Sequence, residues 1–423
     1  MTLIVFVMPK STFLIDPMVY PPLGVAYIAS QLISLGHYVT FIDLSVGEMP
    51  KDGVYDQIWV SATSAQMYEV RKIGAVLSSY TKSKSVLGGP AVWANPGYRE
   101  DSMGFDLLVS GEADHPVRLA TIIDAAKTGG VDFLDFGTCE GVEHIRPPYR
   151  GWFRQYRSYL TDRDGNKVRC TTMFTSRGCP MACAFCESGR NGIIWDRIVR
   201  YEPMEVVIVQ LDEIVKLGFG AIQFYDDILP LNKPRMQKIM NELVERNLIW
   251  RCFIRTDVIT KQGGYEYLKE MRDAGLVEVL AGIESASNEI KDNIQKGTTI
   301  EQDTQVMKWC QELGIQFKAS FVLGLPGETM ETLEATRRWI LAHRPDRVDV
   351  NTLIPFPGTP LTNPEFVGQY DISWEADTPE EFWYKGPRDE TLALTSTSSV
   401  TSKQIREFHA QLMQEITELG IPY

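Results

Sequence analysis

The sequence predicts an α/β chain. A doubly wound, Rossmann-like parallel sheet comes first, a partial (β/α)6 barrel second, and a small C-terminal extension last. Three observations carry this reading. Short apolar runs bounded by turn residues alternate with longer segments of helical spacing; the alternation stops between residues 128 and 168; it then resumes for six further strand–helix units. The expected divisions are 1–127 for the sheet, 128–168 for a linker, 169–362 for the barrel and 363–423 for a region that caps the substrate.

The first series opens with "LIVFVM" (3–8), an apolar run of strand length. "PLGVAYIASQLISLG" (22–36) has apolar residues at helical spacing and stops on glycine. "YVTFID" (38–43), "QIWVSA" (57–62), "SVLGG" (85–89) and "DLLVSG" (106–111) are short, apolar and turn-bounded, and "MYEVRKIGAVLSSY" (67–80) reads as a helix between two of them. In such sheets ligands bind at the carboxyl ends of the strands. Small residues gather there: Ser61, Ala62 and Thr63, then Gly88, Gly89 and Pro90, then Gly111 and Glu112. Glycines at these points either turn strands into helices or let a large flat ligand approach the backbone.

Residues 128–168 are rich in Gly and Pro and show weak periodicity, which reads as a linker. The second series has strands at 170–176, 221–227, 250–257, 277–284, 315–324 and 347–356, with helices at 203–217, 233–246, 264–274, 301–313 and 328–342 between them. Six units make a parallel sheet curled into less than the closed eight-unit form. The remainder is polar with scattered aromatics (Trp374, Phe382, Trp383, Tyr384) and closes on a helix at 402–419.

A net charge of −13 argues against a broad electrostatic grip on nucleic acid or an anionic membrane. No apolar run reaches the ~18 residues that span a bilayer. "MTLIVFVMPK" reads as a buried strand rather than an export signal, so a reducing, cytoplasmic setting is expected. Cysteines there serve as thiols or metal ligands.

Three of the seven cysteines fall in "FTSRGCPMACAFCESGRNG" (174–192), directly after the first strand of the second series. Parallel barrels carry their chemistry in such loops. The spacing C-x3-C-x2-C lets Cys179, Cys183 and Cys186 converge on one corner of a small cluster, and three thiolates leave the fourth iron of a cubane free. Zinc is the competing metal, but a structural zinc site wants a fourth Cys or His, and none stands in this loop.

"SRGCPMACAFC" resembles the signature of the radical S-adenosylmethionine (SAM) superfamily, with Phe185 as its aromatic. The resemblance implies a [4Fe–4S] cluster on Cys179, Cys183 and Cys186, SAM on the open iron, reductive cleavage of SAM to a 5′-deoxyadenosyl radical, and a flavodoxin- or ferredoxin-type electron donor. It continues along the barrel, over about 165–362. "FYDDILPLN" would bring Asp226 or Asp227 near the SAM amino group. "FIRTD" would turn Arg255 toward its carboxylate, and "GIESASNEIKDNIQKGTT" would offer Glu284 and Ser285 to the ribose and carboxylate. "SFVLGLPGET" would bring Gly324, Leu325 and Pro326 to the adenine side, and "LIPFPGTPL" matches the sixth strand end.

The N-terminal part is similar to the cobalamin-binding domain that precedes the barrel in one large radical SAM subgroup, through "YPPLGVAYIASQLISLGHYVTFIDL" and "VLGGPAVWANP…FDLLVSGEAD". Ser61, Thr63, Gly88, Gly89, Gly111 and Glu112 would then contact cobalamin. The Asp-x-His-x-x-Gly motif whose His ligates cobalt is absent; His37 reads as surface, and His115 follows "GEAD". The leading functional expectation is cobalamin-dependent methylation of an unactivated carbon in a small molecule or peptide. The alternative is a rearrangement, cyclisation or oxidation begun by the same radical, with a vestigial first domain. A non-enzymatic metal-binding protein is the remote third. Methylthiotransfer ranks low, because Cys139 alone precedes Cys170, where such enzymes carry further clustered cysteines. Trp195, Trp374, Trp383 and Tyr384, with the loop 187–195, are candidates to line the barrel mouth. Cys170, Cys252 and Cys310 read as small buried residues.

Overall fold

The structure, a computed structural model, describes residues 1–12, 14, 16–99, 101–188, 198–375 and 393–423. The first sheet is built from β1 (Leu3–Met8), α1 (Leu23–Ser34), β2 (Tyr38–Asp43), β3 (Gln57–Ser61), α2 (Met67–Leu77), β4 (Lys84–Gly88), α3 (Pro90–Ala94), β5 (Leu107–Ser110), α4 (Pro116–Thr128) and β6 (Phe133–Asp135). Its six strands lie parallel in the order β2-β1-β3-β4-β5-β6. Order reverses next to β1, so the strand ends open a crevice there.

Alternation along these strands decides which helix covers which face. Val5, Val7, Ile58, Val60, Leu87 and Leu108 pack against α2 residues Val70, Ile73 and Leu77. Ile4, Phe6, Trp59, Val86, Leu107 and Val109 pack against α1 and α4, through Val25, Ala29, Leu32, Leu119 and Ile122. Each such fully buried aliphatic side chain contributes roughly 1.5–3 kcal/mol. Helix α1 is apolar on more than one side because it has two partners. Leu23, Ala26 and Tyr27 turn away from the sheet and join the core of the second domain.

That domain comprises β7 (Ser158–Thr161), β8 (Lys167–Met173), the short pair β9 (Ser176–Arg177) and β10 (Arg200–Tyr201), α5 (Met204–Lys216), β11 (Ala221–Phe224), α6 (Lys233–Glu245), β12 (Ile249–Ile254), α7 (Thr256–Gln262), α8 (Tyr265–Asp273), β13 (Leu276–Glu284), α9 (Asn288–Asn293), α10 (Ile300–Glu312), β14 (Gln316–Leu323), α11 (Met330–His343) and β15 (Arg347–Thr352). The sheet runs β15-β14-β13-β12-β11-β8-β7, with six parallel strands and β7 antiparallel at the edge. This is the half-barrel expected from six units. The extension adds α12 (Pro364–Gln369), the two-residue strands β16 (Ser373–Trp374) and β17 (Thr395–Ser396), which pair antiparallel, and α13 (Ser402–Glu418). No helix among the described residues is long and apolar enough to cross a membrane.

The segment 128–168 is not merely a linker. It supplies β6, the sixth strand of the first sheet, and β7, which flanks the barrel. Strands of three and four residues offer too few positions for a period of two to show, and the flanking glycines and prolines hide them. Helix α7 also falls in a stretch read as strand end and turn.

Candidate functional site

The two sheets present their carboxyl strand ends to one cavity of about 470 Å³. One wall holds Ser61, Thr63, Gly88, Gly89, Gly111 and Glu112, the six residues that the resemblance would bring to cobalamin, with apolar Phe6, Trp59, Val60, Val86 and Val109 beneath. The facing wall belongs to the barrel: Phe174, Ser176, Arg177, Ser188, Tyr225 and Asp227. The volume lies within the range of organic-ligand sites, and an apolar body with a sparse polar rim suits a large planar ligand.

The glycines earn a correction in their physical role. Gly89 has φ +102°, and a Cβ there would stand 2.6 Å from the Ala62 carbonyl oxygen and 2.7 Å from its amide nitrogen. A Cβ on Gly111 (φ +90°) would stand 2.5 Å from the backbone of Gly137. Both are glycine because neighbouring loops press on them, even though both line the cavity. Glu112 is likewise committed. Its carboxylate accepts two hydrogen bonds from Arg200 (2.7 and 2.9 Å), one from Arg177 (3.3 Å) and one from the Cys139 amide (2.6 Å). Arg177 also binds Asp114 at 2.6 Å. Burial disfavours the Asp114 carboxylate, and the Arg177 guanidinium more than offsets it, holding that carboxyl below its usual range. The sequence reading did not single out Arg177, Arg200 or Asp114; "SRGC" and "GEAD" contained two of them. His115 caps α4 by accepting from the Val117 amide and does not line the cavity.

Beside this network lies a second buried polar set. The Tyr27 hydroxyl donates to Glu202 (2.9 Å), Gln210 donates to the other Glu202 oxygen (2.7 Å), and Arg150 donates to Gln210 (3.0 Å) and to the Thr172 carbonyl (2.7 Å). Burial pushes the Glu202 carboxyl up to about 7.

The three thiols follow β8 and the short β9. Cys179 and Cys183 are buried and Cys186 partly so. Cys179 packs with Ile228 and Val258, which close the loop's underside. Burial pushes the free thiols of Cys179 and Cys186 up to about 11 and about 12, so metal binding there releases protons. Among the described residues no three His, Cys, Asp or Glu side chains converge as they would on a single ion. A cubane holds its thiolates further apart than one ion does, and a soft, buried three-thiol set on one loop suits an iron–sulfur cluster with an open iron.

The other barrel residues singled out in the sequence take distinct places. Asp226 is fully enclosed and committed to the loop before the cysteines: it accepts from the Thr175 amide (3.1 and 3.0 Å), the Thr175 hydroxyl (2.7 Å) and the Ser176 hydroxyl. Asp227, on the opposite side of the chain, lines the cavity, and burial, helped by neighbouring Asp226, pushes its carboxyl up to about 6. Arg255 donates to Asp257 (3.0 Å) and the Lys296 carbonyl and stands 3.5 Å from the Cys183 sulfur. Glu284 sits at a register shift in β13 with φ +67° and accepts from Lys296 at 2.7 Å. Lys296 was not singled out. Burial pulls its ammonium down, but the Glu284 carboxylate more than offsets this, and the group lies 5.9 Å from the Phe185 ring centre. Ser285 is spent on the turn into α9, accepting from the Ser287 amide.

Gly324 (φ +86°), Leu325 and Pro326 form a tight loop after β14. The Glu328 carboxylate accepts the Gly324 and Leu325 amides (3.1 and 3.3 Å), and Asn293 donates to the Pro326 carbonyl (3.0 Å). Phe185 and Trp374 pack against a cluster that includes Leu325, Ile290 and Ile294. Trp195, Trp383, Tyr384 and most of the loop 187–195 lie outside the described residues. Cys170, Cys252 and Cys310 are buried as expected, with Cys170 additionally 3.0 Å from the Ser158 hydroxyl.

Residues 173–340 match the model of the Radical SAM superfamily. An uncharacterised methyltransferase of Pyrococcus horikoshii is 28% identical over 81% of this chain and 77% of its own length. The anaerobic magnesium-protoporphyrin IX monomethyl ester cyclase of Cereibacter sphaeroides is 27% identical over 81% of this chain and 60% of its own. The radical SAM methyltransferase TsrM of Kitasatospora setae, solved with cobalamin and a [4Fe–4S] cluster bound, superposes with a TM-score of 0.66 at 17% identity, over 89% of this chain and 81% of that one.

Proposed function

We propose that this radical SAM enzyme, whose domain at 173–340 follows a cobalamin-binding-type sheet, methylates an unactivated carbon with cobalamin held in the cavity between its two sheets. One observation carries the reading: a single cavity joins the strand ends of the first sheet to the cysteine loop and Asp227 of the second. When bound, a [4Fe–4S] cluster on Cys179, Cys183 and Cys186 supplies one-electron cleavage of SAM to a 5′-deoxyadenosyl radical, and cobalamin supplies a methyl carrier.

The chain's own residues bind, orient and enclose. Asp226 accepts the Thr175 amide and the Thr175 and Ser176 hydroxyls just beyond the β11 end, which fixes where the cysteine loop begins. Arg255, paired with Asp257, and Lys296, paired with Glu284, stand beside Cys183 and offer charged partners to the two ends of an amino acid. Asp227 offers the cavity a carboxyl poised to accept a hydrogen bond from an ammonium group. Phe185 and Leu325 form an apolar shelf. The substrate is a small molecule or peptide, and an external donor of the flavodoxin or ferredoxin type delivers the electron.

Anaerobic reconstitution is expected to give a brown protein with about four iron per chain. Cys183→Ala should lose both the colour and deoxyadenosine release from SAM. After incubation with hydroxocobalamin and desalting, a stoichiometric corrin spectrum is expected; its absence would rule out methyl transfer through cobalamin. A second reading, cyclisation or oxidation started by the same hydrogen abstraction, is favoured by the cyclase relative. It predicts that no label from methyl-labelled SAM enters the product.

A further inference from the structure

The C-terminal extension touches the barrel at the Gly324–Pro326 loop, which the family resemblance brings to the adenine side of SAM. Trp374 and Thr395 are paired residues of the β16–β17 ribbon. Trp374 packs on the same cluster as Phe185 and Leu325. Thr395, fully buried at 0% exposure, donates its hydroxyl to the Gly324 carbonyl at 3.1 Å. Two residues on, the Thr397 hydroxyl donates to the Glu328 carbonyl (2.9 Å) and accepts the Val400 amide (3.1 Å), which closes the turn into α13.

The approach is tight. A Cβ on Gly324 would stand 2.4 Å from the Thr395 hydroxyl oxygen, so only glycine lets the ribbon come this close. Both polar groups of the Gly324 peptide are thereby fixed, its amide by Glu328 and its carbonyl by Thr395. Loop and ribbon are 71 residues apart in sequence, so nothing local enforces the contact. Helix α13 anchors the ribbon from behind, through the Arg337–Glu415 ion pair to α11 and the His409–Val350 carbonyl contact at 3.1 Å.

We propose that Thr395 is a positioning residue for SAM. Its hydroxyl, held by the β16–β17 ribbon, sets the Gly324–Leu325 loop so that Leu325 and Phe185 form one continuous shelf. The extension then acts on the nucleoside side of SAM and leaves the cluster untouched. This rests on the reading of the barrel as a SAM site.

The test uses the reconstituted full chain and S-adenosylhomocysteine as a probe that cannot be cleaved. Thr395→Val preserves shape and removes the donor, leaving the Gly324 carbonyl buried and unpaired. Binding should weaken roughly tenfold by calorimetry. Iron content and the visible spectrum of the cluster should stay at the wild-type level. Thr395→Ser, which restores the hydroxyl, should bind within about twofold of wild type. Unchanged affinity in Thr395→Val overturns the proposal. So does equal weakening in Thr395→Ser, or iron loss in step with affinity, since either points to general loosening. Failure of the wild-type chain to bind the probe sinks the SAM reading itself and this inference with it.

Discussion

Glu112→Gln is the most exacting perturbation of the domain interface. The substitution keeps the side chain's shape and removes its charge. Glu112 and Arg200 are 3% and 7% exposed, and their closest contact is 2.7 Å. At an effective dielectric of about 20 that separation corresponds to roughly 6 kcal/mol of attraction. Most of it offsets the desolvation of both ions, so the pair itself adds little. Breaking it is another matter: Arg200 stays buried without a counter-charge, and the Gln amide group faces guanidinium donors where an acceptor stood. Such one-sided removals cost about 3–5 kcal/mol. The assay is urea unfolding of the full chain by circular dichroism. A loss of at least ~3 kcal/mol is expected, with the first domain unfolding ahead of the barrel because the severed contact is one of those joining them. The control is Glu407→Gln, whose pairing with Lys403 is exposed at 3.8 Å and should change stability by under ~0.5 kcal/mol. If the two variants behave alike, the interface does not depend on this pair and the reasoning fails.

Gly89→Ala should destabilise the first domain by roughly 1–3 kcal/mol, because its Cβ meets the Ala62 backbone and its φ is unfavourable, and it should weaken retention of hydroxocobalamin on a desalting column. Glu202 supplies a pH signature. Its carboxyl ionises near 4.5 when free and, through burial, near about 7 in the fold. Its contribution to stability is therefore full below pH 4.5 and lost as pH rises through 7, on the order of 3 kcal/mol in all. Glu202→Gln should flatten the fall in stability between pH 5 and pH 8, measured by urea midpoints, and an unchanged slope would count against it. Buried Glu328, also raised to about 7, accounts for slope that persists in the variant.

The parts of the molecule legible in the sequence share one physical property: their signal is local. The parallel strands of both sheets are apolar runs of about the length a strand needs, and the helices between them keep a clear period. The cysteine loop is legible because three thiols at fixed spacing have few other uses. Contacts across long sequence separations were not legible. Glu112 could be seen at a strand end, but its partners Arg200 and Arg177 lie 88 and 65 residues away, so its commitment to an ion pair could not be read. Lys296 looked like any lysine of a polar loop, and its pairing with Glu284 depends on a positive φ at a strand end. Of the adjacent pair Asp226 and Asp227, strand alternation sends the two side chains to opposite sides; which one faces the cavity depends on Thr175 and Ser176 wrapping back onto the first.

Arg177 stands two residues before Cys179 and reaches across to Asp114 and Glu112. The barrel therefore cannot be treated as a detachable module. Cutting the chain before β7 would strand Arg177 and Arg200, paired across β9 and β10 on either side of the cysteine loop, at a surface shaped to bury them. A chimera that pairs this barrel with another first domain would have to carry over the "GEAD" acids at 112 and 114, as well as the walls of the cavity.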